Sequence, residues 1–321
     1  MQKKFLIVLL FLALQTMRAQ QPRIINFAGM EWVVRSGKGN PGNNLWSDSF
    51  QSVWVDEQNR LHLKISKIQG KWYAAEVFSL RPTHYGIHRF YIANRVDLLD
   101  KNLVAGIFIY KDDKHETDIE FSKWKQPDNL NTQYVVQPEK PQNLKRFQLS
   151  LSGNYSTHII NWQPRQISFQ SFYGHYLSLP NSNFLIDNWH FDKKQLIDDD
   201  QYKIHVNLWM INNQPPSDLK EAELIIANVD TPISAIQIEG ETFPEISFYP
   251  NHYYDHIFVY YSGKFEKIQY EITDKNGKVL ISKNPKTNYF FIDLVKVPIG
   301  TYKLKLVTKN KIYFYKIIKN Y

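Results

Sequence analysis

The chain has 321 residues with a formal charge of +8, and 43 % of its residues are hydrophobic and 22 % charged. That balance supports about two domains with real cores and excludes a disordered, collagen-like or membrane-spanning polypeptide. Cysteine is absent, which removes disulfide frameworks, thiolate metal sites, thiol nucleophiles and iron–sulfur clusters together.

The positive charge is unevenly placed. Residues 1–19 contribute Lys3, Lys4 and Arg18, residues 241–321 hold 13 Lys against 7 Asp and Glu, and the body 20–240 stands at −1. A nearly neutral body without an arginine cluster or a Gly-rich phosphate loop gives no case for nucleic acid. At the start of the chain, Lys3 and Lys4 precede ten apolar residues, Phe5 to Leu14, and then Met17-Arg18-Ala19. This reads as a signal peptide over 1–19. The apolar run is too short for a stable membrane span, which needs about 20 residues, so an exported protein is expected.

From Ile24 onward the apolar residues recur with period two. Leu61, Leu63 and Ile65 alternate with His62, Lys64 and Ser66, and Ile107 to Tyr110 form a strip that can be buried on both sides. Turn signals recur at short intervals, among them Asn40-Pro41-Gly42, Gln126-Pro127-Asp128-Asn129, Ser152-Gly153-Asn154 and Gln214-Pro215-Pro216. The pattern predicts an all-β fold, a two-sheet antiparallel sandwich, with no long helix.

The sharpest chemical feature is His115-Glu116-Thr117-Asp118-Ile119-Glu120-Phe121. On a strand, alternate residues share a face, so Glu116, Asp118 and Glu120 line one surface while Thr117, Ile119 and Phe121 point the other way. Three crowded carboxyls repel, and their pKa values separate. One can then remain protonated while another is ionised, which is what cleavage of a glycosidic bond by two carboxyl groups requires. Cα atoms four apart on a flat strand lie about 13 Å from each other, whereas a retaining mechanism needs carboxyls about 5–5.5 Å apart, so a concave sheet is expected. A solvated acidic strand face would show the same bare pattern.

The surrounding sequence favours the chemical reading. The runs Val53-Trp54-Val55-Asp56-Glu57, Ala75-Glu76-Val77, His84-Tyr85-Gly86, Ala105-Gly106-Ile107-Phe108, the acid motif, Gln133-Tyr134-Val135-Val136-Gln137-Pro138, His158 to Pro164 and Val206-Asn207-Leu208-Trp209 together resemble glycoside hydrolase family 16 across about 25–230. The resemblance implies a concanavalin-like jelly roll with a concave sugar-binding cleft. It also implies a secreted retaining endo-β-glycanase with Glu116 as nucleophile, Asp118 as the assisting acid and Glu120 as general acid/base. Matched positions make Glu76, Phe108, Tyr110, Trp124, Gln133, Gln137, Asn207 and Trp209 the expected substrate contacts. Sandwich core is the plainer reading of Phe108, and a loop cap that of Trp124.

The sequence departs from the family where Lys114 and His115 replace a Trp common before the motif, where Thr117 replaces an apolar residue, and where Asn213 replaces a Gly. No cofactor is required by this chemistry, and the family's structural calcium has no assignable ligands here. Asp198-Asp199-Asp200 reads as a solvated turn. The expected polymer is a β-1,3- or mixed-linkage glucan or a marine galactan. A non-catalytic surface lectin and a transglycosylase are the rival readings on the same fold, and a monomer is expected.

Thr231-Pro232 and the stretch Gly240 to Pro244 break the alternation. They divide the chain into a jelly roll over 20–235, a linker over 236–243 and a small β module over 244–321. His252 and His256 lack a second ligand cluster that would make a zinc site. Ile246-Ser247-Phe248-Tyr249-Pro250-Asn251, Asn276-Gly277-Lys278-Val279-Leu280, Pro298-Ile299-Gly300-Thr301-Tyr302 and Lys316-Ile317-Ile318-Lys319 resemble the C-terminal sorting domain of type IX secretion substrates. That resemblance implies handling by the type IX secretion machinery and an extracellular or cell-surface location. A small carbohydrate-binding module is the rival, disfavoured by the absence of Trp from 244–321.

Overall fold

The computed structural model describes residues 21–192, 201–232, 236–251, 255–263 and 267–320. The signal peptide and Asp198-Asp199-Asp200 lie outside these residues, as does His252. Helical structure among the described residues is limited to four turns of three residues each, and the body is the two-sheet antiparallel sandwich that the period-two pattern predicts, with the jelly-roll form that the family resemblance implies.

One sheet runs Ile24–Phe27, Met30–Val34, Ala75–Ser79, Lys203–Met210, Leu103–Asp112, His115–Phe121, Thr132–Val136, Leu144–Phe147, with every neighbour antiparallel. The facing sheet runs Leu185–Asp192, Gln166–Tyr173, Ser156–Trp162, Gly86–Ile92, Ala222–Asp230, Leu61–Ile68, Val53–Val55, and Lys71–Tyr73 also pairs with Leu61–Ile68. Strands distant in sequence become neighbours, as where Lys203–Met210 separates Ala75–Ser79 from Leu103–Asp112. Ile119 and Phe121 from the first sheet meet Phe90, Ile160 and Phe169 from the second in one core. Burying each such side chain contributes about 1.5–3 kcal/mol, and a register slip by one residue would turn this whole set outward.

A correction concerns the junction. Residues 236–243, expected to form a linker, begin with the strand Ile236–Gly240, paired with Ile312–Lys319 in the C-terminal module. Ile236 and Ile238 are buried in that module's core, so the apolar alternation outweighs the turn residues on either side. The module packs the sheet Ile236–Gly240, Ile312–Lys319, Gly300–Val307, Gln269–Thr273, Val279–Lys283 against Ile246–Asn251, His256–Tyr261, Tyr289–Asp293. The Asn276-Gly277 hairpin is present. Gly277 takes φ +82°, and Asp274 Oδ1 accepts from the amides of Asn276 and Lys278 at 2.9 Å each.

The module meets the jelly roll on the second sheet's outer face. Phe90 and Ile92 belong to the sandwich core, so Arg89 and Tyr91 project the other way. There Arg89 Nη1 lies 2.6 Å from Asp230 Oδ2, and its Nε donates to the Leu177 carbonyl at 2.6 Å. The Leu177 side chain joins the module's core. His175, kept neutral by burial that lowers its pKa to about 4, donates through Nε2 to the Ile92 carbonyl at 2.7 Å and accepts at Nδ1 from the Tyr249 hydroxyl at 3.2 Å.

Candidate active site

The strand His115–Phe121 places Ile119 and Phe121 in the core and so turns Glu116, Asp118 and Glu120 to the first sheet's outer face. Antiparallel register aligns each acid with a row of neighbours. Glu116 stands opposite Tyr110, Asp118 opposite Phe108, and Glu120 between Gly106 and Gln133. Across the next strands, Gly106 faces Asn207 and Asn207 faces Glu76, while Phe108 faces His205 and His205 faces Phe78. These rows floor a cleft of about 570 Å³.

All three acids are held toward their protonated forms. Burial, with further repulsion from Asp113 and Glu76, raises Glu116 to about 7, against a hydrogen bond from Asp118 that favours its ionised form. Asp118, flanked by both glutamates, is raised well above the usual range, first by burial and then by their charges. Burial and Glu116 raise Glu120 to about 7, while Gln133 Nε2 donates to Glu120 Oε2 at 2.6 Å and partly offsets them. Gln133 is aligned in turn by Arg146, whose Nε donates to Gln133 Oε1 at 2.9 Å. Groups whose pKa is raised on folding contribute stability below their unfolded value of 4.5, and this is lost as pH rises through about 7. Glu120→Gln should therefore gain in Tm relative to the parent as pH goes from 5 to 8 by differential scanning fluorimetry, and a constant difference would contradict the assignment.

Glu76 behaves oppositely. Burial alone would raise it, but His205 and Arg35 overcome burial and leave its pKa below the usual value. Its Oε2 takes Arg35 Nη1 at 2.6 Å and its Oε1 takes the His205 Nδ1 proton at 2.9 Å. His205 is stacked between Phe78 and Phe108, with centroids 5.2 and 4.9 Å away. The Tyr110 ring stands at 86° to Phe108, and its hydroxyl donates to Asp113 Oδ1 at 3.0 Å.

Of the expected contacts, Glu76, Phe108, Tyr110, Gln137, Asn207 and Trp209 line the cleft together with the three acids. Phe108 is buried but outside the sandwich core, so it belongs to the cleft floor. Two expectations are corrected. Gln133 is fully buried behind Glu120 and touches that acid instead of the cleft. Trp124 is not among the residues lining the cleft; it and Lys125 take left-handed backbone (φ +50° and +65°), and its ring lies 5.9 Å from the Arg146 guanidinium. Arg35, Phe78, Asp113 and His205 line it unanticipated. His205 was legible, since it precedes Asn207 by two on an alternating strand; Arg35 carries no local signal.

Gly106 clears the floor beside Glu120. A Cβ there would stand 2.6 Å from Asn207 Oδ1, so Gly106→Ala should displace Asn207 and lower kcat/KM about 10²-fold with little change in Tm. Unchanged kinetics would show that this contact is not used. Among the described residues, no group of three His, Asp or Glu is placed to hold a metal ion.

Residues 247–320 match the family model of the secretion system C-terminal sorting domain. The terminal module is a sorting domain. It consigns the protein to type IX secretion and so to the cell surface or the extracellular space. No helix among the described residues is long and apolar enough to cross a membrane. No curated protein matches the sequence. Solved structures similar to the body include a β-glucanase of Bacillus licheniformis, at 18 % identity over 64 % of this chain and 92 % of that one, TM-score 0.46. A family 16 endo-glucanase from Bacteroides ovatus is similar at 17 % over 62 % and 93 %, TM-score 0.44. An immunostimulatory antigen and pseudo β-1,3-glucanase of Mycobacterium tuberculosis is similar at 14 % over 62 % and 90 %, TM-score 0.46.

Proposed function

We propose that the protein is a secreted retaining endo-β-glycanase that hydrolyses O-glycosidic bonds of a polysaccharide. The observation that carries this reading is the row Glu116, Asp118, Glu120 on the cleft floor, where burial and mutual repulsion raise all three acids, both glutamates to about 7. Asp118 keeps its proton and donates it in a hydrogen bond to Glu116, which is thereby the glutamate that ionises first. Ionised Glu116 attacks the anomeric carbon while Glu120 gives its proton to the leaving oxygen. A glycosyl ester on Glu116 results. Glu120, now a carboxylate, removes a proton from water, which attacks the same carbon and releases Glu116. Asn207 lines the cleft beside the acids and carries an amide that can bond a sugar hydroxyl.

The two glutamates titrate as a pair. Activity should rise with pH as Glu116 ionises and fall as Glu120 loses its proton, giving a bell for kcat/KM centred near neutrality. A profile flat from pH 5 to 9 would contradict this pairing. The test is reducing-end release from laminarin, lichenan, agarose, carrageenan and xyloglucan by the secreted chain, with Glu116→Gln alongside. Release from one polymer that vanishes in the variant supports the reading. Binding without release would favour a lectin, and longer products at high acceptor concentration a transglycosylase.

A further inference from the structure

The charges facing the cleft discriminate between neutral and anionic polymers. Its lining includes five carboxyl groups, of which Asp118 and Glu120 hold their protons in the reactive state, leaving Glu76, Asp113 and Glu116 as carboxylates beside Arg35 and His205. Both of those basic side chains are already bonded to one acid, Arg35 to Glu76 Oε2 at 2.6 Å and His205 to Glu76 Oε1 at 2.9 Å. Cations outside the lining include Lys114, which follows Asp113 in the same turn, Lys203 and Arg146. Lys203, opposite Tyr110, has its ammonium 5.1 Å from the Phe78 ring centre, and Arg146 donates to Gln133 on the far side of Glu120. Asp113 sits in the turn after Leu103–Asp112, exposed, and holds the Tyr110 hydroxyl at 3.0 Å. Tyr110 is the cross-strand partner of Glu116, and Asp113 lines the same cleft close enough for its charge to act on Glu116.

We infer that this cleft takes an uncharged glycan and rejects chains bearing sulfate or uronate groups, with Asp113 enforcing the choice beside Glu116. The inference rests on the glycanase reading and narrows its substrate. A sulfate ester bound next to Glu116 would face the Asp113 and Glu116 carboxylates with no cation of the lining outside the Glu76 cluster to meet it, and like charges in a partly desolvated cleft repel strongly. An unsubstituted neutral chain can stack on the Tyr110 ring and bond the Asn207 and Gln137 amides that line the cleft without that repulsion.

The experiment compares laminarin, lichenan and agarose, each with its chemically sulfated form, using the full secreted chain and its Asp113→Asn variant at 50 and 500 mM NaCl. For whichever polymer is cleaved, kcat/KM should fall at least tenfold on sulfation at low salt. That ratio should shrink at high salt because the screening length falls from about 14 Å at 50 mM to about 4 Å at 500 mM. It should also shrink at least threefold in Asp113→Asn, which keeps a hydrogen-bonding group for Tyr110 and loses the charge. Equal or faster turnover of a sulfated form, or a ratio indifferent to both salt and the variant, overturns the inference. If no polymer is cleaved, the glycanase reading fails, and affinity electrophoresis of Glu116→Gln decides this one separately. Stronger retardation by the unsulfated form supports it; equal, reversed or absent retardation overturns it.

Discussion

Glu116→Gln should reduce reducing-end release by about 10⁴-fold or more while the protein remains folded and retains its polysaccharide. Gln is nearly isosteric and keeps an acceptor for Asp118, but it cannot form the glycosyl ester or carry the negative charge that faces the developing cation. Loss of Glu120 should differ in kind. Glu120→Gln removes proton transfer, worth about 10²–10⁴-fold, and this loss should largely disappear for the first step when the leaving group is an activated phenol that needs no proton. A burst of phenol followed by slow turnover in Glu120→Gln, absent from Glu116→Gln, would separate the two roles. Comparable residual activity in both variants on both substrates would remove the assignment.

The largest expected effect on stability lies on the other sheet. Asp230→Ala should destabilise the chain by about 3–5 kcal/mol, because Arg89, largely shielded between Asp230 and the Leu177 carbonyl, would keep its charge after losing the carboxylate bonded to it. With a Tm response of about 2–4 °C per kcal/mol for a domain of this size, the transition should drop by at least about 6 °C. The double variant Arg89→Met with Asp230→Leu should recover most of that loss, since apolar replacement of a whole buried pair is often neutral. A single variant as mild as a surface change, within about 0.5 kcal/mol, would mean that the pair is solvated.

The acid row was legible because strand alternation leaves only two directions for a side chain, and Ile119 and Phe121 could only be core. The same rule, extended along Lys203–Met210, would have placed His205 with Asn207 and Trp209. Arg35 was not legible, since its link to Glu76 spans 41 positions in sequence and depends on which strands become neighbours. Trp124 was misplaced for another reason. Left-handed backbone is usually announced by Gly or Asn, and here Trp124 and Lys125 adopt it consecutively. The linker was misread because Pro232, Gly240 and Pro244 crowd around a five-residue strand whose alternation is too short to stand out.

On the proposed reading, placement of the sorting module on the back of the sandwich has a practical outcome for work on long chains. The contacts of Arg89, His175 and Leu177 with the module and its flank are made on the sheet facing away from Glu116. A protein gripped by its tail therefore still offers an open trough to the medium. Whether it is anchored at an outer surface or shed from it, a polymer far larger than the protein can lie across the acids without threading past the tether.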